Sequence, residues 1–548
     1  MLLATVLMVA GLLAAVWVLR PELLLPRHEL TIRLVDGATG EPASARVQVR
    51  SRRFLFRQAD EALWTHATPR IGPYVHVDGE ISVAAPRGDV QVIVSRGITS
   101  TTIDTTFALG GPHVLELEVR DWIQPRDHGW AGADPHVHPD HRGGKFYPDP
   151  TIEHVGRIAR AEGLDLMFLL ANREETPRGI TDPPARGATL VWGEEYRNAF
   201  WGHLVVLDAP RLVVTEYGAT CCAEEQTAWP TLEHSMSAFE VPLAIMAHPK
   251  TTDDPLDTHL WPGAGYAREL AALSTRADRL HGVSIAGGTN GPWVWTLEPW
   301  LDGLRLGRRW AAFGESDRAL DRFHTEPPAE PRTYARVESS ATGPSLASGW
   351  IEAARRARTF ATTGPIVTRF AVDGVRTGGV VDAEIGERLA VEIEVRSAVP
   401  LDSLRVIGAE GPLRAEPWPE GRRSMRLDFD LEVARDEFLV VDAFGAGRPT
   451  ARIYAPRAVT SPIWIRAGLP WTVAPGVVAR AREDMTTFWE LSLEKRGYAS
   501  AADSSRAFEH TRRPADVLAG FDRRVTVPAD WPAGRRAAGA GHGAGSRD

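Results

Sequence analysis

The hydrophobic period of this chain changes twice, and that change limits the fold more than any other feature. From 29 to 120 the apolar residues recur every second position. Ala45-Arg46-Val47-Gln48-Val49 alternates strictly, and Val90–Val94 and Val114–Val119 repeat the pattern. Leu30–Val35 alternates less regularly and is followed by the turn signals Asp36-Gly37 and Thr39-Gly40-Glu41-Pro42. Period two with such turns predicts a small β-sandwich. From 121 to 364 the pattern becomes mixed. A helical period over Ile152–Ala161 leads into the apolar strand Leu166–Leu170, with further strands at Leu204–Leu207 and Leu243–Ala247. Arg268–Leu273 and Glu298–Leu306 read as helices between strands. Alternating strands and helices predict a parallel α/β arrangement. From 365 to 456 the alternation of Leu389–Val395 and the strand Phe438–Ala443 restore a β pattern.

These limits give an expected organisation. It comprises a β-sandwich at 29–120, an α/β barrel at 121–364 and a second β-sandwich at 365–470. A mixed extension at 471–531, with a helix near Arg480–Glu494, and a Gly-, Ala- and Arg-rich disordered tail at 532–548 complete it. A length of 548 residues accommodates this number of units. The 18 Trp fit either large β-rich cores or a site with aromatic walls.

Residues 1–22 form a separate segment. Met1 to Leu19 carries no charge, and Arg20 is the first charged residue. An uncharged run of this length suits an N-terminal hydrophobic helix that just spans a hydrocarbon core. It lacks the basic start of a cleaved signal, which favours a membrane anchor over a signal segment. Arg20 and Arg27 on its C-terminal side argue for a cytoplasmic location of the rest of the chain, whereas the β-module after it reads as extracytoplasmic. Location in a bacterial cell envelope, anchored or exported, is the expectation. The net charge is −9 with no basic run, so no nucleic-acid partner is expected. Cys221 and Cys222 are the two cysteines, adjacent in sequence; they read as buried small residues or a vicinal disulfide.

The chemistry-bearing motifs lie in 121–364. In Asp134-Pro135-His136-Val137-His138, two imidazoles at i and i+2 share one face of a strand and suit a single cation. A chain with 17 His also holds such a pair by chance, so the pair gains meaning only from its companions further along the chain. Trp192-Gly193-Glu194-Glu195 precedes Trp201-Gly202-His203; a carboxylate there can bridge two metals, or the stretch is a surface acidic loop. Leu243–Ala247 ends in His248-Pro249, where a strand end can present a ligand or hold a core histidine. Ala312-Phe313-Gly314-Glu315-Ser316-Asp317 ends in a carboxylate that is a ligand or a helix cap.

The order of these motifs resembles the PHP superfamily of metal-dependent hydrolases, and within it the carbaryl and naphthyl-methylcarbamate hydrolase (CehA/McbA) family. Ile351–Ala357, Arg358–Pro365 and Ser461-Pro462-Ile463-Trp464-Ile465 extend the resemblance over roughly 30–470. The N-terminal β-module resembles the transthyretin-like modules that precede exported bacterial hydrolases. The resemblance implies a distorted (β/α)7 barrel between the two β-sandwiches. It implies two divalent ions (Zn, Mn or Fe), one on His136, His138, Glu195 and Asp317, the other on Glu195, His203 and His248. It implies a hydroxide between them as nucleophile, with Glu195 bridging and Asp317 orienting or deprotonating the water. A small-molecule ester, carbamate, amide or phosphoester is the implied substrate class.

The chain departs from that pattern where a third ion would bind. Leu170-Ala171-Asn172 stands in place of Thr-Asp-His, and Asp317 is followed by Arg318-Ala319 without the usual histidine. This points to two ions, not three. Asp140, His141 or His324 are the candidates to substitute for the lost ligands. Asn172, Arg173 and Arg318 are the expected substrate contacts, the arginines supplying positive charge at the rim. Specificity is expected in the loops 174–190, 218–236 and 251–265. A catalytically silent metal-binding module, acting as an envelope binding or scaffold protein, is the alternative that these losses support.

Overall fold

The computed structural model describes residues 26–51, 54–55, 71–139, 150–171, 179–181, 187–198, 202–208, 243–248, 280–287, 295–321, 326–447, 452–483, 505 and 524–534. Residues 1–22, Cys221, Cys222, Asn172, Arg173, Asp140, His141, His324 and the expected helix over Arg268–Leu273 lie outside them. Loops 218–236 and 251–265 and most of 174–190 also lie outside. Among the described residues no helix is long and apolar enough to cross a membrane.

Two sheets share one core at the N-terminal end. Strand Arg27–Asp36 lies between Glu80–Pro86 (antiparallel) and His113–Val119 (parallel). Ser44–Ser51 pairs with Gly88–Ser95, which pairs with Ile103–Leu109. Leu30, Ile32 and Leu34 from one sheet meet Val47, Val90 and Val92 from the other, all essentially without exposed surface. Each such side chain contributes about 1.5–3 kcal/mol by leaving water. Strict alternation would turn Arg46 and Gln48 to solvent, yet both are buried. The reason is a third layer. Arg46 Nη1 donates to Glu162 at 3.1 Å, and His76 Nε2 lies 2.8 Å from the same carboxylate. Arg332 donates to the Glu162 carbonyl at 2.8 Å. The β-module is thereby fixed to the central region.

The central sheet is built around Trp130–His138. Leu166–Ala171 runs parallel to it, and Thr189–Asn198 runs parallel to Leu166–Ala171. Leu243–Met246, Gly282–Gly287 and Ala311–Glu315 follow as parallel neighbours. Arg318-Ala319 then pairs with Val137-His138, so the sheet closes on its first strand. The helix Ile152–Ala161 is capped by the Thr151 side chain, which accepts from the His154 N–H, and it buries Val155 and Ala159. Helix Leu297–Arg305 buries Trp300, Leu301 and Leu304. Helix Gly343–Arg355 inserts Trp350 beneath Phe168, ring centroids 4.9 Å apart.

The parallel α/β expectation needs correction. The molecule is mostly β, and its large sheets are mixed. Gly202–Leu207 runs antiparallel to both neighbours. The link from Asn198 to Gly202 is far too short for a parallel crossover, which needs a dozen or more residues, so a hairpin results. Arg332–Arg336 is likewise antiparallel to Trp130–His138.

The C-terminal half is dominated by a long hairpin, Arg388–Gly408 with Gly411–Glu432. Its inner residues Val391, Ile393, Val395, Leu404 and Val406 join Trp130, Phe360 and Phe370 in one core. Ser461 Oγ accepts the Ala312 N–H at 2.8 Å, tying this half to the central sheet. Trp300, Trp310, Trp350, Trp464 and Trp471 are fully buried, so among the described residues much of the tryptophan content is core packing. Order continues past 531, since the Gly534 N–H donates to the Val380 carbonyl at 2.7 Å.

Candidate metal centre

Parallel strands place their C-terminal ends on one rim, and an antiparallel strand begins on that same rim. The proposed ligands follow this rule. His136 and His138 lie at the end of Trp130–His138, and Glu195 lies in Thr189–Asn198. His248 comes two residues after Leu243–Met246, Asp317 comes two after Ala311–Glu315, and His203 opens the antiparallel strand. His248 and Asp317 have φ of 28° and 49°. Left-handed backbone in non-glycine residues is costly and is concentrated at functional sites. It turns both side chains back over the rim. Gly287 makes room for this, because a Cβ there would sit 3.1 Å from the His248 Cβ.

All six side chains converge. Nε2 of His136 and Nε2 of His138 lie 3.0 Å apart. Asp317 Oδ1 is 3.2 Å from the first and 3.3 Å from the second. Glu195 Oε2 is 3.0 Å from His138 Nε2, and Glu195 Oε1 is 3.4 Å from His136 Nε2. Ligands about 2.0–2.1 Å from a tetrahedral zinc stand about 3.3 Å from one another. The separations found here are of that size. A second group shares Glu195: its Oε1 lies 2.8 Å from His203 Nδ1 and 3.2 Å from His248 Nε2. His136, His138, Glu195 and Asp317 form one group that could hold a metal ion, and Glu195, His203 and His248 form another.

The electrostatics also favour a cation. Burial on its own would keep the His136 ring neutral, but Glu195, Glu315 and Asp317 raise its pKa well above the usual value. The same carboxylates raise His248 against its burial. Burial opposes ionisation of Asp317, yet His136, His138 and His248 hold its carboxyl far below the usual range. The cavity draws positive charge to its centre, and the residues present fit a metal. Access is from one side: Asp317 and His203 keep 17% and 25% of their side-chain surface, against 1% or less for His136, His138 and Glu195.

Arg318 requires a correction. It is not a rim cation but a buried one. Its Nη2 donates to Glu326 at 2.8 Å and to the Tyr454 hydroxyl at 3.2 Å. Pairing with Val137-His138 turns it into the protein, where Glu326 neutralises it. Ala319 pairs with His138.

Two residues escaped the sequence reading. Asp134 is fully buried and accepts the N–H groups of His136, Ser316 and Ala329, and the Ser316 hydroxyl. Glu315 is fully buried, with Oε2 3.2 Å from His136 Nδ1. Asp134 lies two residues before His136 on the same strand, a period-two signal. Glu315 carries no such signal, because Asp317 lies beyond its strand in a left-handed turn.

No protein family and no curated protein matches the chain. Among solved structures, the lesion-specific endonuclease PfuEndoQ from Pyrococcus furiosus is similar at 12% identity and a TM-score of 0.28. The match covers 41% of this chain and spans 56% of the endonuclease. A likeness this remote does not bear on what the site does.

Proposed function

We propose that this chain is a metal-dependent hydrolase of the PHP type, with two divalent cations on the rim of a distorted barrel. The observation that carries this reading is Glu195, whose Oε2 faces His138 while its Oε1 lies near His203 and His248 and, at 3.4 Å, His136. A carboxylate shared in this way is suited to bridging two ions. Two such ions would lower the pKa of a bound water and polarise a substrate oxygen. His136, His138, His203 and His248 would hold the ions. Asp317 lies on the open side, with Oδ2 3.8 Å from His248 Nε2, where it would orient the attacking water.

Ester, carbamate, amide and phosphoester bonds fit this chemistry. A substrate approaching along the His203–Asp317 side would present its carbonyl or phosphoryl oxygen to both positions. The reading includes kinship with the carbaryl hydrolase-like family. It also takes segment 1–22 as a membrane anchor or export signal, which would place the chain in a bacterial envelope, with 29–120 as a transthyretin-like scaffold.

The test is metal analysis of purified protein, followed by assay on aryl esters, carbamates and phosphoesters. Two ions per chain with turnover that is lost on chelation and restored by metal is the expected result. One ion or none overturns the dinuclear centre. Two ions without turnover on any substrate would assign the chain to a silent metal-binding module.

A further inference from the structure

Glu315 touches both halves of the centre while pointing away from its middle. Its Oε1 accepts the backbone N–H of His248 at 2.7 Å. Its Oε2 lies 3.2 Å from Nδ1 of His136. Neither that oxygen nor that nitrogen has a hydrogen-bond partner among the described residues, so their 3.2 Å approach is a close contact and not a formed hydrogen bond. Both side chains have no exposed surface, so water does not substitute. A proton on Nδ1 would make the pair a donor and an acceptor.

We propose that Glu315 is the positioning residue on which both metal positions depend. The proposal rests on the metal-centre reading above. His136 turns Nε2 toward His138, Glu195 and Asp317, so Nε2 must keep its lone pair for a cation. In a neutral imidazole this requires the proton on Nδ1. Glu315 Oε2 holds that proton and fixes the ring tautomer and rotation. Its other oxygen holds the His248 backbone in the left-handed turn that aims the second ring at Glu195.

Glu315 also belongs to a cluster with His136 and His248 that could itself hold an ion. Geometry decides against that role. One oxygen is already used by a backbone N–H, and the other faces the ring nitrogen turned away from the shared ligands.

The chemistry makes the claim specific. Glu315 meets two donors, and a carboxylate offers two acceptor oxygens. Glutamine has the same shape but a single acceptor. If its oxygen serves the His248 N–H, its amide N–H2 faces His136 Nδ1 and drives the ring proton to Nε2, where it blocks metal. If it turns over, the His248 N–H loses its acceptor.

The experiment compares wild type and Glu315→Gln by zinc competition with a chromophoric chelator and by the visible spectrum of the cobalt-loaded proteins. The variant is expected to hold the same number of ions at saturation, to bind zinc about 10–100-fold more weakly, and to shift the cobalt bands. Unchanged affinity and spectrum overturn the proposal. Saturation one ion short would show that Glu315 is itself a ligand, and also overturns it. Nitrogen-15 NMR of zinc-loaded wild type provides a check that does not need the variant to fold. A protonated Nδ1 on His136 is expected, and an unprotonated one overturns the proposal. Wild type that binds no zinc would instead refute the metal centre itself.

Discussion

The carboxylate of Asp134 accepts both the backbone N–H and the hydroxyl of Ser316, although 182 residues separate them. This clasp fixes the turn that carries Asp317 onto the strand that carries His136 and His138. Asp134→Asn leaves one acceptor where four donors converge. A loss of about 1–3 kcal/mol is expected from the buried groups left unpaired. Urea denaturation would measure it. A variant as stable as wild type would mean that the turn is held by other contacts.

Glu195 links the two ligand groups, so Glu195→Gln is expected to reduce bound metal from two ions to one at most. An amide nitrogen cannot ligate, and one oxygen cannot serve both sides. Metal content after extensive dialysis is the measurement. Retention of two ions would show that the bridge is not Glu195.

The junction with the N-terminal β-module gives a pH prediction. Burial pushes the Glu162 carboxyl up, but Arg46, His76 and Arg332 outweigh it and hold its pKa below the ordinary carboxylate value. A depressed folded-state value means this stabilisation is complete above the ordinary carboxylate range and is lost as pH falls through the folded value. Glu162→Gln removes one of the carboxylates that face the buried Arg46, Glu330 being another. It is expected to destabilise at neutral pH, by at most about 3–5 kcal/mol. The gap between wild type and variant should narrow as melts are repeated at increasingly acid pH. A gap that widens toward acid would contradict the assigned sign.

Arg318→Ala is expected to act on stability, not on substrate choice. It leaves the buried Glu326 carboxylate without its guanidinium partner. The melting temperature should fall, while the ratio of activities on anionic and neutral esters stays near that of wild type. A selective loss on anionic esters with an unchanged melt would return Arg318 to the substrate side.

Much of the local structure was legible because it depends on local periodicity. The helix Ile152–Ala161 and the strands around Leu166–Leu170, Leu204–Leu207 and Leu389–Val395 stand where their apolar spacing places them. Strand direction was less legible. A hairpin and a crossover can join similar apolar runs, and only the short Asn198–Gly202 link explains the antiparallel Gly202–Leu207.

The sequence by itself determined the residue types able to hold a cation: a His-x-His pair, a carboxylate in a strand, and a histidine and an aspartate at strand ends. Spacing along one strand is enough to put His136 and His138 on one face. The tertiary structure alone decided that Glu195, His203, His248 and Asp317 meet them, because their approach depends on how the sheet closes through Arg318-Ala319. It also decided which charges face the centre. Glu315 ends its strand and Asp317 follows two residues later in a left-handed turn; one reaches Nδ1 and the other Nε2 of the same His136 ring. Arg318, next in the chain, pairs with Val137 and points to Glu326 and Tyr454. The partners that bury it come from elsewhere in the fold.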